Sequence, residues 1–184
     1  MTGCAPPYPL GLGPPDDEAM AYPRELLKLL TKQQTVLLMF GSGRGGAADG
    51  RWVAEYGYRH VTVVDWDEAT LGPMLVQAPA GWQGIQADIL KWAPEQATRG
   101  MKWDHVSADP ASQLAPQIVE LLPVWLALAR RTATITMYRH CFAGEGEPTH
   151  LAPELADPPA GWRYTKLVRR WGFRGGIYWL CCER

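Results

Sequence analysis

The 184-residue sequence has no apolar run long enough to cross a bilayer. The longest, around Leu121, is interrupted by Pro123 and stopped by Arg130. Nor does a basic segment lead into an apolar one at the N-terminus, so no signal peptide is expected. Cysteine is scarce. Cys4, Cys141, Cys181 and Cys182 form no C-x-x-C pair and no disulfide-like framework, so free thiols in a reducing, cytoplasmic setting are the expectation. An excess of either charge is missing too: 18 Lys and Arg face 19 Asp and Glu, a formal net charge of −1 that argues against a globally basic nucleic-acid binder. No internal repeat is apparent. What remains is a globular composition, 47% hydrophobic and 20% charged, in a length suited to one domain with a substantial core.

The chain is organised around Thr35 to Glu68. It reads TVLLMF, then GSGRGG, then a helical stretch from Ala47 to Tyr56, then HVTVVDWDE. An apolar strand, a glycine-rich turn, a helix and a second apolar strand ending in acid make a βαβ crossover of the kind that holds nucleotide-like ligands. Val36 to Phe40 has the unbroken apolar character of a strand buried on both faces. Gly41, Gly43 and Gly45 allow the backbone to approach a ligand where a Cβ would clash. Amides at the start of the following helix then face that ligand. Asp65, at the second strand's end, suits a ribose diol. Gly41-x-Gly43-x-x-Gly46 satisfies the dinucleotide fingerprint, while the overlapping Gly41-x-Gly43-x-Gly45 equally suits S-adenosylmethionine (SAM). The unit alone leaves both open, along with a glycine turn that only packs helix on sheet.

Residues 1–18 read as a Pro- and Gly-rich arm, and residues 19–184 as the domain. A helix is expected over Ala19 to Leu30, with Leu26, Leu27, Leu29 and Leu30 on one face. After the central unit come a short helix, Thr70 to Val76, and a strand, GIQA, running to Asp88. A Pro- and Gln-bearing connection leads to a strand over Asp104–Asp109, a helix over Pro116–Arg130 and a strand over Thr132–Tyr138. Two aromatic, β-rich runs close the chain, Trp162 to Arg170 and Gly176 to Cys182, and read as an antiparallel pair. Between Gly161 and Arg184 six cations stand against Glu183 alone. Arg163, Lys166, Arg169 and Arg170 among them suit phosphate contacts, as in RNA, or else solvated outer positions on edge strands. Acids at strand ends recur, at Asp65, Asp88 and Asp109. In an open parallel sheet such ends share the edge where ligands bind, although a helix cap is an alternative for Asp88. Pro110 holds Asp109 extended.

With these motifs the chain resembles class I SAM-dependent methyltransferases over roughly Thr35 to Glu183. The resemblance implies an α/β fold with a doubly wound, mostly parallel Rossmann-like sheet and an antiparallel C-terminal strand. It also favours SAM over NAD, because NAD-dependent dehydrogenases do not usually end in a reversed hairpin. By it, Gly41, Ser42, Gly43, Gly45, Gly46, Asp65, Trp66, Asp88 and Ile89 form the cofactor site, with Asp65 on the ribose and Asp88 on the adenine amino group.

A narrower likeness is to FtsJ-like and viral cap RNA 2′-O-methyltransferases. It rests on the R-G-G end of the glycine loop, Ser107-Ala108-Asp109 where those enzymes have an S-D element after the fourth strand, Phe142-Ala143-Gly144-Glu145-Gly146, and Ile177-Tyr178-Trp179. Those enzymes use a Lys-Asp-Lys-Glu set around the target hydroxyl. Asp109 matches its Asp. Arg24 or Lys28 stands nearest the first Lys, Arg139 or His140 stands at the second, and Gly176 replaces the Glu. Arg cannot shuttle a proton as Lys can, whereas a His at this position could act as a base near neutral pH. The resemblance therefore implies methyl transfer to RNA with an incomplete tetrad built on Asp109, His140, Arg139 and Lys28. The alternatives are a small-molecule methyltransferase and a non-catalytic SAM- or nucleotide-binding module.

Overall fold

The computed structural model describes residues 30–40, 53–54, 56–110, 116–140, 157–172 and 175–184. The expected helix over Ala19–Leu30, apart from Leu30, and the glycine loop lie outside them. The strands are β1 (Thr35–Phe40), β2 (His60–Asp65), β3 (Gln83–Gln86), β4 (Trp103–Asp109), β5 (Ala129–His140), β6 (Arg163–Gly172) and β7 (Gly175–Glu183). Among the described residues, Val53 and Ala54 are helical, and the helices with both ends described are α1 (Glu68–Gln77), α2 (Ile89–Thr98) and α3 (Pro116–Leu128).

All seven strands form one sheet in the order β3-β2-β1-β4-β5-β7-β6. β1 pairs in parallel with both β2 and β4, and β4 with β5. β7 runs antiparallel between β5 and β6. This is the expected α/β, doubly wound, mostly parallel sheet with its antiparallel C-terminal strand. Strand order reverses between β1 and β4, and the crevice outside the carboxyl ends of such strands is where ligands bind in open α/β sheets.

Burial follows the period of two. Leu37 and Met39 of β1 join Val64, Val106, Ala108 and Ile135 in a core shared with Ile89 and Ala93 of α2 and Leu122, Trp125 and Leu126 of α3. Val36, Leu38 and Phe40 face the other way, with Val61, Val63, Val53, Tyr58 and Leu71 of α1. β1 is thus buried on both faces, as its unbroken apolar run requires.

The structure corrects several boundaries. The expected connection after Asp88 is the helix α2. Asp88 is its N-cap, accepting from Leu90 N at 3.0 Å, and β3 ends at Gln86. At the other end Gly100 N bonds Ala97 O and Met101 N bonds Gln96 O, a Schellman closure with Gly100 at φ 72°. Pro94 inside the helix obscured it, since an interior proline removes one amide bond and reads as a breaker. α1 begins two residues before its expected start, because Asp67 caps it from Ala69 N. α3 stops at Leu128, and Arg130 belongs to β5. Tyr56 lies in a turn rather than at the end of a helix.

A clasp ties β1 to β4 at the edge where the parallel strands begin. The Asp104 carboxylate accepts from Thr35 N at 2.8 Å and Thr35 Oγ1 at 2.9 Å, and Asp104 N donates to Thr35 Oγ1 at 3.1 Å.

Candidate functional site

At the opposite edge the ladders bring four strand ends onto one row. Asp65 pairs with Gln86, and Phe40 with Asp109. β1 and β2 are paired up to Met39 and Val64, so Phe40 lies beside Asp65 one step on. Asp65 and Asp109 therefore flank Phe40 from either side. They stand two strands apart, about 10 Å between Cα atoms. Both fall on the sheet face that carries Phe40, and both are buried, at 0% and 8% exposure.

The Asp65 carboxylate is fixed by its own turn. Asp67 N donates to Asp65 Oδ1 at 2.9 Å, and Ala87 N donates to Asp65 O at 2.9 Å. Asp67 in turn accepts from Ala69 N at 3.1 Å and Thr70 Oγ1 at 3.0 Å. Trp66 sits between these two acids with 53% of its surface exposed, while its carbonyl accepts from Gln86 Nε2 at 3.3 Å. The result is an exposed indole beside a held carboxylate, next to the capped start of α2.

Other expected residues divide. Asp88 is exposed at the α2 N-terminus, close in sequence to the row's Gln86. The Ile89 side chain is 1% exposed in the core, so only its backbone can meet a ligand. Gly41, Ser42, Gly43, Gly45, Gly46 and Lys28 lie outside the described residues, although the glycine loop follows Phe40 directly in sequence. Arg139 and His140 end β5, where they pair with Gly176 and Gly175. β4 and β5 are paired as far as Ala108 and Ile135, which sets Thr136 on the Asp109 row. Arg139 and His140 are three and four residues farther along, roughly 10–13 Å by backbone rise. The ladder thus joins the proposed second-Lys and Glu positions, Arg139 and Gly176, but not either of them with Asp109. Arg163 at the start of β6 is held by Glu183 at 2.6 Å, and Lys166, Arg169 and Arg170 follow it up that edge strand.

Sequence reasoning missed Asp67, Gln86 and Thr136. Asp67 carried a signal, being an Asp one residue before a helical run. The other two are visible only once register is known.

A polar strip leads to Asp109 along β4 and β5. His105, Ser107, Thr132, Thr134 and Thr136 are all buried, and His105 Nδ1 lies 2.8 Å from Thr132 Oγ1. Burial pushes His105 down to about 3, so it is neutral at physiological pH. Near the far strands burial pushes the Cys182 thiol and the Tyr164 hydroxyl up to about 12. Cys181 and Cys182 are both buried, and the Cys182 thiol lacks the thiolate character that reactivity needs.

No family model matches this chain, and no curated protein sequence matches it. The fold has solved counterparts. A SAM-dependent methyltransferase from Agrobacterium tumefaciens is similar with a TM-score of 0.55 and 20% identity, over 70% of this chain and 46% of that one. TrmN from Thermus thermophilus is similar with a TM-score of 0.55 and 17% identity, over 90% of this chain and 53% of that one. Aeropyrum pernix fibrillarin, solved with natively bound SAM, gives a TM-score of 0.55 and 15% identity, over 87% of this chain and 74% of that one. The chain spans about half the length of the Agrobacterium and Thermus proteins, 46% and 53%. At these identities the likeness is one of fold: the sheet is the Rossmann-like one found in SAM-dependent methyltransferases.

Proposed function

We propose that the chain is a SAM-dependent methyltransferase acting on RNA, with its methyl donor bound at the row formed by Gln86, Asp65, Phe40 and Asp109. The carrying observation is the placement of Asp65 and Asp109 on either side of Phe40 at the switch point of the sheet. The residues present fit the cofactor. The Asp65 carboxylate suits a ribose diol, the exposed Trp66 indole suits an adenine face, and Asp88 suits the adenine amino group. The glycine-rich GSGRGG sequence follows β1, where the amino-acid portion of SAM would need close backbone approach. When bound, SAM supplies an electrophilic methyl group on a sulfonium. The chain's own task is then to hold the acceptor in line and orient its reacting atom.

Asp109 is the residue proposed to orient the acceptor, because it stands on that row, across the switch point from Asp65. His140 and Arg139 lie farther out along β5, at the rim an incoming substrate would cross. RNA as the acceptor rests on the FtsJ-like motifs and on the basic β6 strand, with cap or ribose 2′-O methylation the favoured chemistry. Incubation with labelled SAM and mixed RNA tests the proposal: label in RNA supports it, and label only in small molecules or nowhere opposes it.

A further inference from the structure

Among the described residues, the edge opposite the Asp65–Asp109 row carries more cations than acids. Where the parallel strands begin, β2 is preceded by Arg59, β1 by Lys32 and β4 by Lys102, all exposed. β5 contributes exposed Arg131 there, and β7 ends into exposed Arg184, whose N–H donates to Arg131 O at 2.9 Å. None of these five cations has an ion-pair partner among the described residues. Two further cations, Arg130 and Arg163, are drawn to acids of the edge, Asp104 at 4.0 Å and Glu183 at 2.6 Å. Those carboxylates are mostly covered, with 16% and 19% side-chain exposure. Exposed Asp157 is a further acid near the β6 end, where its carbonyl accepts from Tyr164 Oη at 3.3 Å.

In a chain of net charge −1 this is a marked segregation, since soluble surfaces usually intersperse the two signs. The geometry is linear. Six adjacent strands, β2, β1, β4, β5, β7 and β6, each place a cation on the edge. At about 4.8 Å per strand the row runs roughly 24 Å. A single small anion needs two or three convergent donors, whereas a row of this length matches the repeated phosphates of a polynucleotide. A membrane surface fits less well. Interfacial binding inserts apolar side chains, and of the exposed large hydrophobics among the described residues, Trp66, Val76, Leu90 and Met101, only Met101 adjoins this edge.

We infer that this edge is a second nucleic-acid contact, a rail for the phosphate backbone roughly 20 Å from the proposed methyl-transfer row, estimated from the rise along β4. At Arg163 the rail meets β6, whose Lys166, Arg169 and Arg170 continue along the sheet's outer strand toward the other end. RNA held on the rail reaches the row by following that strand. The inference deepens the RNA reading above and rests on it for the identity of the polyanion, not for the cofactor.

The test is fluorescence anisotropy of a labelled 20-nucleotide RNA across a KCl series. It uses the parent chain and two double variants, Lys102→Glu with Arg131→Glu, and Lys32→Glu with Arg59→Glu. Each double variant is expected to weaken RNA binding by about tenfold or more at low salt. Each should also flatten the log–log salt slope by about 0.7 for every phosphate that is no longer neutralised. The unliganded melting temperature and the SAM-induced shift should stay at the parent values, since these side chains are exposed and lie at the far edge. Unchanged RNA affinity and slope in both variants overturn the inference. So does loss of binding to phosphatidylserine-containing vesicles with RNA binding intact, which reassigns the edge to membranes. If the slopes change while SAM gives no thermal shift in any form, the rail stands and the cofactor proposal falls.

Discussion

Phe40 and Asp109 pair at the carboxyl ends of β1 and β4, so the residue before the glycine-rich sequence and the last acid of β4 share one rung. That rung lies at the point where strand order reverses, with buried Asp65 one strand away. Phe40 and two carboxylates, more than sixty residues apart from first to last in sequence, thus belong to one edge.

If Asp109 orients the acceptor, Asp109→Ala should lower methyl-transfer turnover by about a hundredfold while changing SAM affinity by no more than about twofold. His140→Ala is the contrast. A comparable loss identifies His140 as the proton acceptor, and no loss leaves it a rim residue. Full turnover in a folded Asp109→Ala protein places the chemistry elsewhere.

His105 gives the protein an acid-side weakness. Its imidazole is held neutral down to about 3 by burial, whereas in the unfolded chain it takes a proton near 6.5. Between those values the unfolded state binds more protons, so stability rises with pH. The contribution is complete above about 6.5 and is lost as pH falls toward 3, by up to about 1.4 kcal/mol per pH unit. Urea midpoints at several pH values between these limits should fall more steeply in the parent than in His105→Gln. Parallel curves would show that His105 is not buried in its neutral form.

Two glycines separate local strain from collision. Gly81 has φ +100°, and a Cβ there would stand 2.7 Å from Arg59 O, a backbone atom that cannot swing away. Gly100 has φ +72° with nothing within 4 Å of a built Cβ. Gly100→Ala should therefore cost about 1 kcal/mol, the conformational preference alone. Gly81→Ala should cost about 2–4 kcal/mol, with a correspondingly larger drop in melting temperature. Equal losses would contradict the close approach between Gly81 and the Arg59 carbonyl.

Much of this architecture was legible before the structure. The run TVLLMF announced a strand buried on both faces, and the two aromatic C-terminal runs announced the antiparallel β6–β7 pair. Asp65 and Asp109 were found as strand ends because each closes an apolar stretch. α2 was not found, since Pro94 sits at its centre, although Asp88 and Gly100 mark both of its ends. Proline obscures a helix locally, while burial of Ile89 and Ala93 against the sheet offsets its cost. Register was the other blind spot. A sequence does not reveal that Thr136 rather than Arg139 or His140 shares the Asp109 row, because that depends on the bulge near Trp103 and His105 where β4 meets β5.

The central claim is that the Asp65 edge binds SAM. Thermal unfolding with SAM, S-adenosylhomocysteine and NAD tests it most directly, in the parent and in Asp65→Asn. A ligand that binds only the folded state raises its melting temperature by mass action. SAM and S-adenosylhomocysteine should each raise that of the parent, and NAD should not. Asp65→Asn should weaken the response by about tenfold in ligand concentration, as expected when a charge-assisted hydrogen bond to the ribose is removed. An equal shift from NAD, no shift from either SAM species, or a response in Asp65→Asn identical to the parent's would contradict it.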